Sequence, residues 1–297
     1  MSMLEVELNK SKRIENKKSM IPNWLRTLIK HKTLVVGSFF IFIFFIFTLF
    51  PTLFFAKDIT IQTNSTLRML APSLEHPFGT DHIGRDILSR VIWGTRVSLG
   101  ISVGAMMLAM IVGGTLGLIS GYFGGILDNV IGRIIDVLYS FPSQILGIFI
   151  AGILGPSVKN VIIAIAIVFI PVFYRTMRGS VVKEKEREYV EAARSLGMND
   201  TYIMFVHVLR NSIVPVTVQF TVGLAVAIQL EAALGFLGLG VQPPAASWGS
   251  ILNDGIDYLL FAPWISILPG LFMVLAVFSF NLIGDGLRDL LDPHSEK

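Results

Sequence analysis

The sequence contains no cysteine, so disulfide bonds, thiolate metal sites and cysteine nucleophiles are all excluded. Charged residues are also scarce: they make up 15% of the 297 residues, whereas hydrophobic residues make up 53%. The mean hydropathy is +0.69. A soluble domain rarely combines so few charges with so much apolar surface. The composition therefore predicts an integral membrane protein whose solvent is the lipid bilayer.

Several nucleotide-binding and catalytic motifs are missing as well. No segment matches the phosphate-binding pattern G-x-x-x-x-G-K-[ST], which indicates that the chain does not itself bind ATP in the usual way. The five histidines lack H-E-x-x-H spacing, and no G-x-S-x-G nucleophile motif is present. We therefore expect the chain not to be an enzyme and to bind no metal or cofactor of its own.

Six apolar stretches come close to or reach the length of about 20 residues that a membrane-spanning helix needs. We predict an all-α fold of six transmembrane helices, at 34–56, 97–118, 137–154, 161–178, 213–236 and 264–284. The remaining segments are an N-terminal segment at 1–33, an external loop at 57–96 and a tail at 286–297. The core transmembrane domain covers 97–285 and contains a polar cytoplasmic loop at about 179–212.

The basic residues indicate the orientation. Although the net charge is +3 and the pI is near 9.1, 15 of the 24 basic residues lie in two blocks beside apolar segments, at 1–33 and 175–211. This placement favours a topology signal over nucleic-acid binding, and the positive-inside rule puts both blocks in the cytoplasm. The loop at 57–96 is basic too, but it is long and contains acidic residues, so its weight is small. We predict that both termini are cytoplasmic.

The polar loop contains a charged helix with a narrow apolar stripe. Residues 183–197 are rich in good helix formers, and Gly197 is a plausible terminator. Val190, Ala193 and Leu196 recur with Gly197 at helical spacing. Small residues in such a stripe allow close approach of another backbone. The pattern predicts a short helix that docks into a cleft on another protein.

At this point the sequence resembles a known family. Glu191, Ala192 and Ala193, followed by Gly197, match the EAA loop of ABC importer permease subunits. Three further signatures are similar to the dipeptide, oligopeptide and nickel subfamily. They are HPFGTD with GRD, SR and GTR at 76–96, FLGLGVQPP with SWG at 236–249, and NLIGDGLRD with DP at 281–293. Four ordered signatures over most of the chain make the resemblance specific.

The resemblance implies a type I importer fold in the bacterial cytoplasmic membrane. This chain would form half of the translocation pathway for di- or oligopeptides, and the same machinery could instead import nickel, metal chelates or glutathione-like solutes. Its implied partners are two ATP-binding subunits that hold ATP and Mg²⁺, a homologous second permease subunit and an extracytoplasmic substrate-binding protein. The implied coupling residues are Glu188, Glu191, Ala192, Ala193, Leu196 and Gly197.

Two further sets of residues each allow two interpretations. The external-loop signature could contact an external partner or form an internal salt-bridge cluster, and we favour the cluster; its residues are Asp81, Gly84, Arg85, Asp86 and Arg96. Gln229 and Glu231 lie in the outward part of a predicted helix, where an ionisable group suggests a pathway residue. Alternatively, Glu231 lies in water at the helix end.

Two alternatives remain open at the level of the sequence. A stand-alone secondary transporter could use Glu231 or Asp136 as a proton-coupled carboxylate. The second concerns local geometry, because Arg210 stands where the family usually has proline after the loop. The course of the chain at 207–215 is therefore open.

Overall fold

The computed structural model describes residues 32–291. Within this range the regular structure is helical, apart from one isolated bridge between Thr80 and Asp86. The all-α prediction is confirmed. In chain order the main helices are α1 (Lys32–Leu49), α2 (Ile87–Phe123), α3 (Gly125–Tyr139), α4 (Ser143–Leu154), α5 (Val158–Glu184), α6 (Glu188–Ser195), α7 (Asp200–Phe236), α8 (Trp248–Gly255) and α9 (Trp264–Leu291).

Four of these helices, α2, α5, α7 and α9, are long and apolar enough to cross a membrane. Helices α3 and α4 together are also long and apolar enough, but the chain bends by 92° between them. The apolar part of α1 is shorter than the others. The described residues therefore contain four candidate spans, or five if the bent pair is counted as one.

One continuous helix at 137–154 was predicted, but the structure interrupts it at 140–142. Helix α3 ends at Tyr139, and α4 begins only at Ser143. Pro142 explains the break, because proline has no N–H to donate and disfavours helical geometry at the residue before it. The polypeptide therefore turns sharply in the middle of a long apolar stretch.

Several helix boundaries also differ from the sequence prediction, and three of them illustrate the causes. Helix α1 ends at Leu49, before a 3₁₀ turn that starts at Pro51. Helix α2 begins ten residues earlier than expected, at Ile87, where the Asp86 side chain caps it by accepting a hydrogen bond from the Ser89 N–H. Helix α5 continues past residue 178 to Glu184. Charged residues assigned to loops therefore lie on helices.

A row of glycines on α2 allows close packing against α5. Gly113, Gly117 and Gly121 are spaced four residues apart and face α5. A Cβ at Gly117 would lie 2.5 Å from the carbonyl oxygen of Tyr174, and one at Gly113 would lie 2.5 Å from that of Ile170. Such small-residue rows bring membrane helices into backbone contact. They fix α5 against α2.

The end of the fold at which α2 begins is organised around a buried tryptophan. Trp248, at the start of α8, donates from its backbone N–H to Ser98 Oγ at 3.0 Å and from its indole to the Val91 carbonyl at 3.2 Å. Its ring makes edge contacts with Phe44 of α1 and Phe272 of α9. One side chain therefore joins α8 to α1, α2 and α9.

Candidate functional site

The loop between α5 and α7 forms the helix that the sequence predicted. Helix α6 starts after a connection of three residues, with Glu188 and Glu191 in its first turn and Arg194 in its last. This charge order suits the helix dipole. Gly197 ends the helix with a φ of +76°, and the Met198 N–H returns to the Ala193 carbonyl at 3.2 Å. The chain therefore turns away sharply after α6.

The apolar stripe of α6 faces the protein over most of its length, which corrects the expectation that the whole stripe is free to dock. Val190 and Ala193 are buried in the same cluster as Ile203 and Met204, which lie in a π-helical turn at the start of α7. Leu196, in contrast, is 78% exposed. Glu188, Glu191, Ala192 and Gly197 are exposed as well. The surface available to a partner is thus the outer face and tip of α6.

Hydrogen bonds hold α6 to both flanking spans. The Tyr189 hydroxyl donates to Glu184 at the end of α5 (2.7 Å) and accepts from Asn211 of α7 (3.0 Å). Partial burial and the facing Glu184 raise the pKa of the Tyr189 phenol, so it stays protonated and able to donate. Helix α7 then continues through 209–236 without a break at Arg210. The position that departs from the family pattern therefore does not end the helix.

The loop is also anchored to the C-terminal end of α2. The Tyr122 hydroxyl donates to Asp200 at 2.6 Å, and Lys185 donates to the carbonyl of Gly121 at 2.8 Å. Arg194 lies over the Tyr122 ring at 5.6 Å. Helix α6 is therefore a rigid projection that is tied to three long helices.

Two residues of the external-loop signature form a buried ion-pair network. Asp81 accepts from Arg85 at 2.5 Å and from Arg90 at 3.2 Å. The same two arginines each donate to Asp254 of α8 at 2.9 Å. The side chains of Asp81, Arg85 and Arg90 are all less than 10% exposed. For Asp81 and Arg85 the structure thus contains the internal cluster that the sequence analysis favoured.

The other signature residues lie apart from this network. Asp86 caps α2 and pairs with His76 at 2.8 Å. Gly84 has a φ of +83°, and a side chain there would collide with the backbone of Asn64. Arg96 lies on α2 and is exposed. These residues shape the loop, and only Arg96 is available to a partner.

Gln229 and Glu231, the two candidate pathway residues, lie in different environments. Gln229 is exposed and lines a cavity of about 230 Å³ with Ser143 and Gln144 of α4. Glu231 is fully buried, and both of its carboxyl oxygens lack a hydrogen-bond partner within the described residues. This burial contradicts the alternative that Glu231 lies in water at the helix end. Gln229 is the one of the two that lines a cavity.

A second polar feature was missed at the sequence level. Helices α3 and α5 enclose a cavity of about 460 Å³, which we call the charged cavity; it is lined by Asp128, Asn129, Gly132, Arg133, Asp136, Tyr174, Arg175 and Arg178. Arg178 donates twice to Asp128, at 2.6 Å each, and Arg175 donates once to Asp136 at 2.7 Å. The spacing of Asp128 and Asp136, eight residues apart on one helix, was the available signal.

Comparisons with known proteins identify the family. Residues 113–297 match the family described as "Binding-protein-dependent transport system inner membrane component". The chain belongs to this family. It is 46% identical to the dipeptide transport system permease protein DppC of Alkalihalophilus pseudofirmus, over 90% of this chain and 88% of that protein. The family named from the sequence is therefore confirmed, and the chain is an integral membrane transport component rather than an enzyme.

Other relatives and solved structures agree with this family. Identity is 45% to the glutathione transport system permease protein GsiD of Pectobacterium atrosepticum, over 75% of this chain and 74% of that protein. The chain is also 40% identical to the dipeptide transport system permease protein DppC of Haemophilus influenzae, over 87% of this chain and 90% of that protein. An inward-facing structure of the MetNI methionine ABC transporter superposes with a TM-score of 0.56 at 16% identity, over 69% of this chain and 98% of that chain. That likeness supports a shared type I importer fold.

Proposed function

We propose that this family member is one of two related membrane subunits of an ATP-driven importer for di- or oligopeptides. Two ATPase subunits would carry ATP and Mg²⁺ on the cytoplasmic side, and a binding protein would deliver solute from outside. The dipeptide transport names of relatives at 46% and 40% identity support this substrate. The relative at 45% identity that is named for glutathione supports a second candidate, a glutathione-like solute.

The proposed topology has six spans with both termini in the cytoplasm. It counts the bent pair α3 and α4 as one span and α1 as another. Helix α1 has 18 residues and therefore a length of about 27 Å, close to the roughly 30 Å thickness of the hydrocarbon core. The concentration of Lys and Arg at 1–33 and 175–211 supports the orientation.

One observation carries the coupling proposal: α6 is a rigid projection whose tip is exposed. Glu188, Glu191, Ala192, Leu196 and Gly197 would contact an ATPase subunit, while Ala193 would support them from within. ATP-driven closure of the ATPase subunits would move α6, and its ties to α2, α5 and α7 would carry that motion into the spans. The pathway would then switch between inward-facing and outward-facing states.

The experiment that tests this proposal replaces Leu196 with Asp. The side chain is 78% exposed, so the variant should fold normally yet lose stable co-purification with the ATPase subunits, because a charge would enter an apolar contact. Leu260→Asp is the matched control, since Leu260 is 92% exposed in the segment between α8 and α9, far from α6 in the chain. Equal ATPase recovery and equal ATP-dependent uptake for both variants would disprove the docking assignment.

A further inference from the structure

The charged cavity places ionised side chains within spans, where they are not covered by protein. The paired Arg175 and Asp136 side chains are 46% and 63% exposed. Exposure of such groups to hydrocarbon is costly, so charged residues in spans face water-filled cavities or other protein. A contribution to folding stability does not explain these charges either, because an exposed ion pair stabilises a protein only slightly. These charges therefore call for a ligand, an aqueous pathway or a partner subunit.

Two further cavities lie near the charged cavity, and one of them contains Gln229. The Arg175 guanidinium stacks on the Tyr139 ring at 3.9 Å, and Tyr139 also lines a neighbouring cavity of about 370 Å³. That cavity shares Ser143 with the one lined by Gln144 and Gln229. The three cavities therefore lie near the break between α3 and α4, and Arg175 and Tyr139 stand between the charged cavity and the other two.

The two arginine pairs of the charged cavity are not equivalent. Arg178 makes two bonds to Asp128, which also accepts from Ser120 and, at 3.3 Å, from Tyr174. Arg175 makes a single hydrogen bond, to Asp136. A guanidinium carries five N–H donors in a planar fork that fits a carboxylate. Arg175 therefore retains capacity for a second anionic partner, whereas Arg178 has a structural pairing.

We propose that the charged cavity is a solute site in which Arg175 binds the free carboxylate of a zwitterionic solute and Asp136 faces its ammonium group. This inference rests on the proposed import of peptide-like solutes. The volume of about 460 Å³ lies within the usual range for small-molecule sites. The lining contains three arginines and two aspartates, so it offers partners both to the carboxylate and to the ammonium group of such a solute.

Uptake by the complete transporter provides the first test. ATP-loaded proteoliposomes that contain the full complex, with the binding protein outside, are supplied with dialanine. Arg175→Gln should slow initial uptake about tenfold, the typical effect of losing a charged hydrogen bond. Lys159→Gln, which removes an exposed cation from the other end of α5, should leave uptake unchanged. Wild-type-like uptake by Arg175→Gln would overturn the site, whereas no dialanine uptake by the wild type would overturn the proposed function as well.

Cysteine protection tests the chemistry without the binding protein. Asn129→Cys gives this cysteine-free chain one thiol in the wall of the charged cavity. Dialanine should slow its reaction with a neutral maleimide, and dialaninamide, which lacks the carboxylate, should not. Adding Arg175→Gln should remove the protection. The assignment would be refuted if dialanine and dialaninamide protected the thiol equally, if an anionic lipid alone protected it, or if neither compound protected it.

Discussion

The glycine row on α2 leads to a prediction that separates backbone contact from helix propensity. Gly117 and Gly114 lie on the same helix but face different surroundings. A Cβ at Gly117 would lie 2.5 Å from the Tyr174 carbonyl oxygen and 3.0 Å from the Arg178 nitrogen. A Cβ at Gly114 would meet only the end of the Met177 side chain, at 3.7 Å, which is an ordinary contact. We therefore compare Gly117→Ala with Gly114→Ala.

The expected difference follows from this geometry. Both variants gain the same preference of alanine over glycine in a helix, about 1 kcal/mol, and this gain cancels in the comparison. Only Gly117→Ala forces two backbones apart, and overpacking of this kind costs about 1–3 kcal/mol. Gly114→Ala should therefore be as stable as the wild type or slightly more stable. Gly117→Ala should be less stable than Gly114→Ala by that amount.

Thermal unfolding of the purified chain in detergent, followed by tryptophan fluorescence, measures the difference. A loss of 1–3 kcal/mol corresponds to a drop in Tm of several degrees for a chain of this size. Gly113→Ala should behave like Gly117→Ala, because it meets the Ile170 carbonyl at the same 2.5 Å. If all three variants unfold at the same temperature, α2 and α5 do not pack through their backbones and the reasoning fails.

Two further predictions concern the external network and the pathway. Asp81→Asn should lower the free energy of unfolding by about 3 kcal/mol, because it leaves two buried arginines without one of their anionic partners. The exposed control Glu75→Gln should have no effect. Denaturant titration measures the unfolding free energy of both variants, and equal values would contradict the network. Gln229→Cys in the intact complex should react with a water-soluble maleimide at least ten times faster than buried Leu230→Cys, about the factor expected for open against buried thiols. Similar rates would contradict the assignment of Gln229 to the pathway.

The apolar helices were predictable because their signal is local. Helix α7 ends at Phe236, as its hydropathy indicated. The start of α2 was not predictable in this way, since polar residues such as Arg90 interrupt the apolar pattern there. Arg90 fits in a helix because it pairs with Asp254, 164 positions away in the chain. A sequence window cannot detect a partner at that distance, so the boundary was placed too late.

The candidate site was predicted in part for the same reason. The composition of α6 and its termination at Gly197 are local properties, and the structure has both. Which face of α6 is buried depends on the π-helical turn around Ile203, which hydrophobic spacing does not reveal. Arg175 was counted only as part of the basic block at 175–211, and Asp136 only as a possible proton-coupled carboxylate, so their pairing between α5 and α3 was not recognised. Contacts between residues that are far apart in the sequence decide both which face of α6 is buried and where Arg175 is paired.

The short connection between α5 and α6 has a mechanical consequence. Helix α5 has 27 residues and no loop within it, and only three residues separate its end from α6. Such a helix is about 40 Å long, so a tilt of roughly 5° about one end shifts the other by about 3 Å. The glycine row contacts α5 at Ile170, Tyr174 and Arg178, close to Arg175. A push at α6 that tilts α5 about this contact would therefore move the opposite end of the helix, near Val158, more than it moves Arg175.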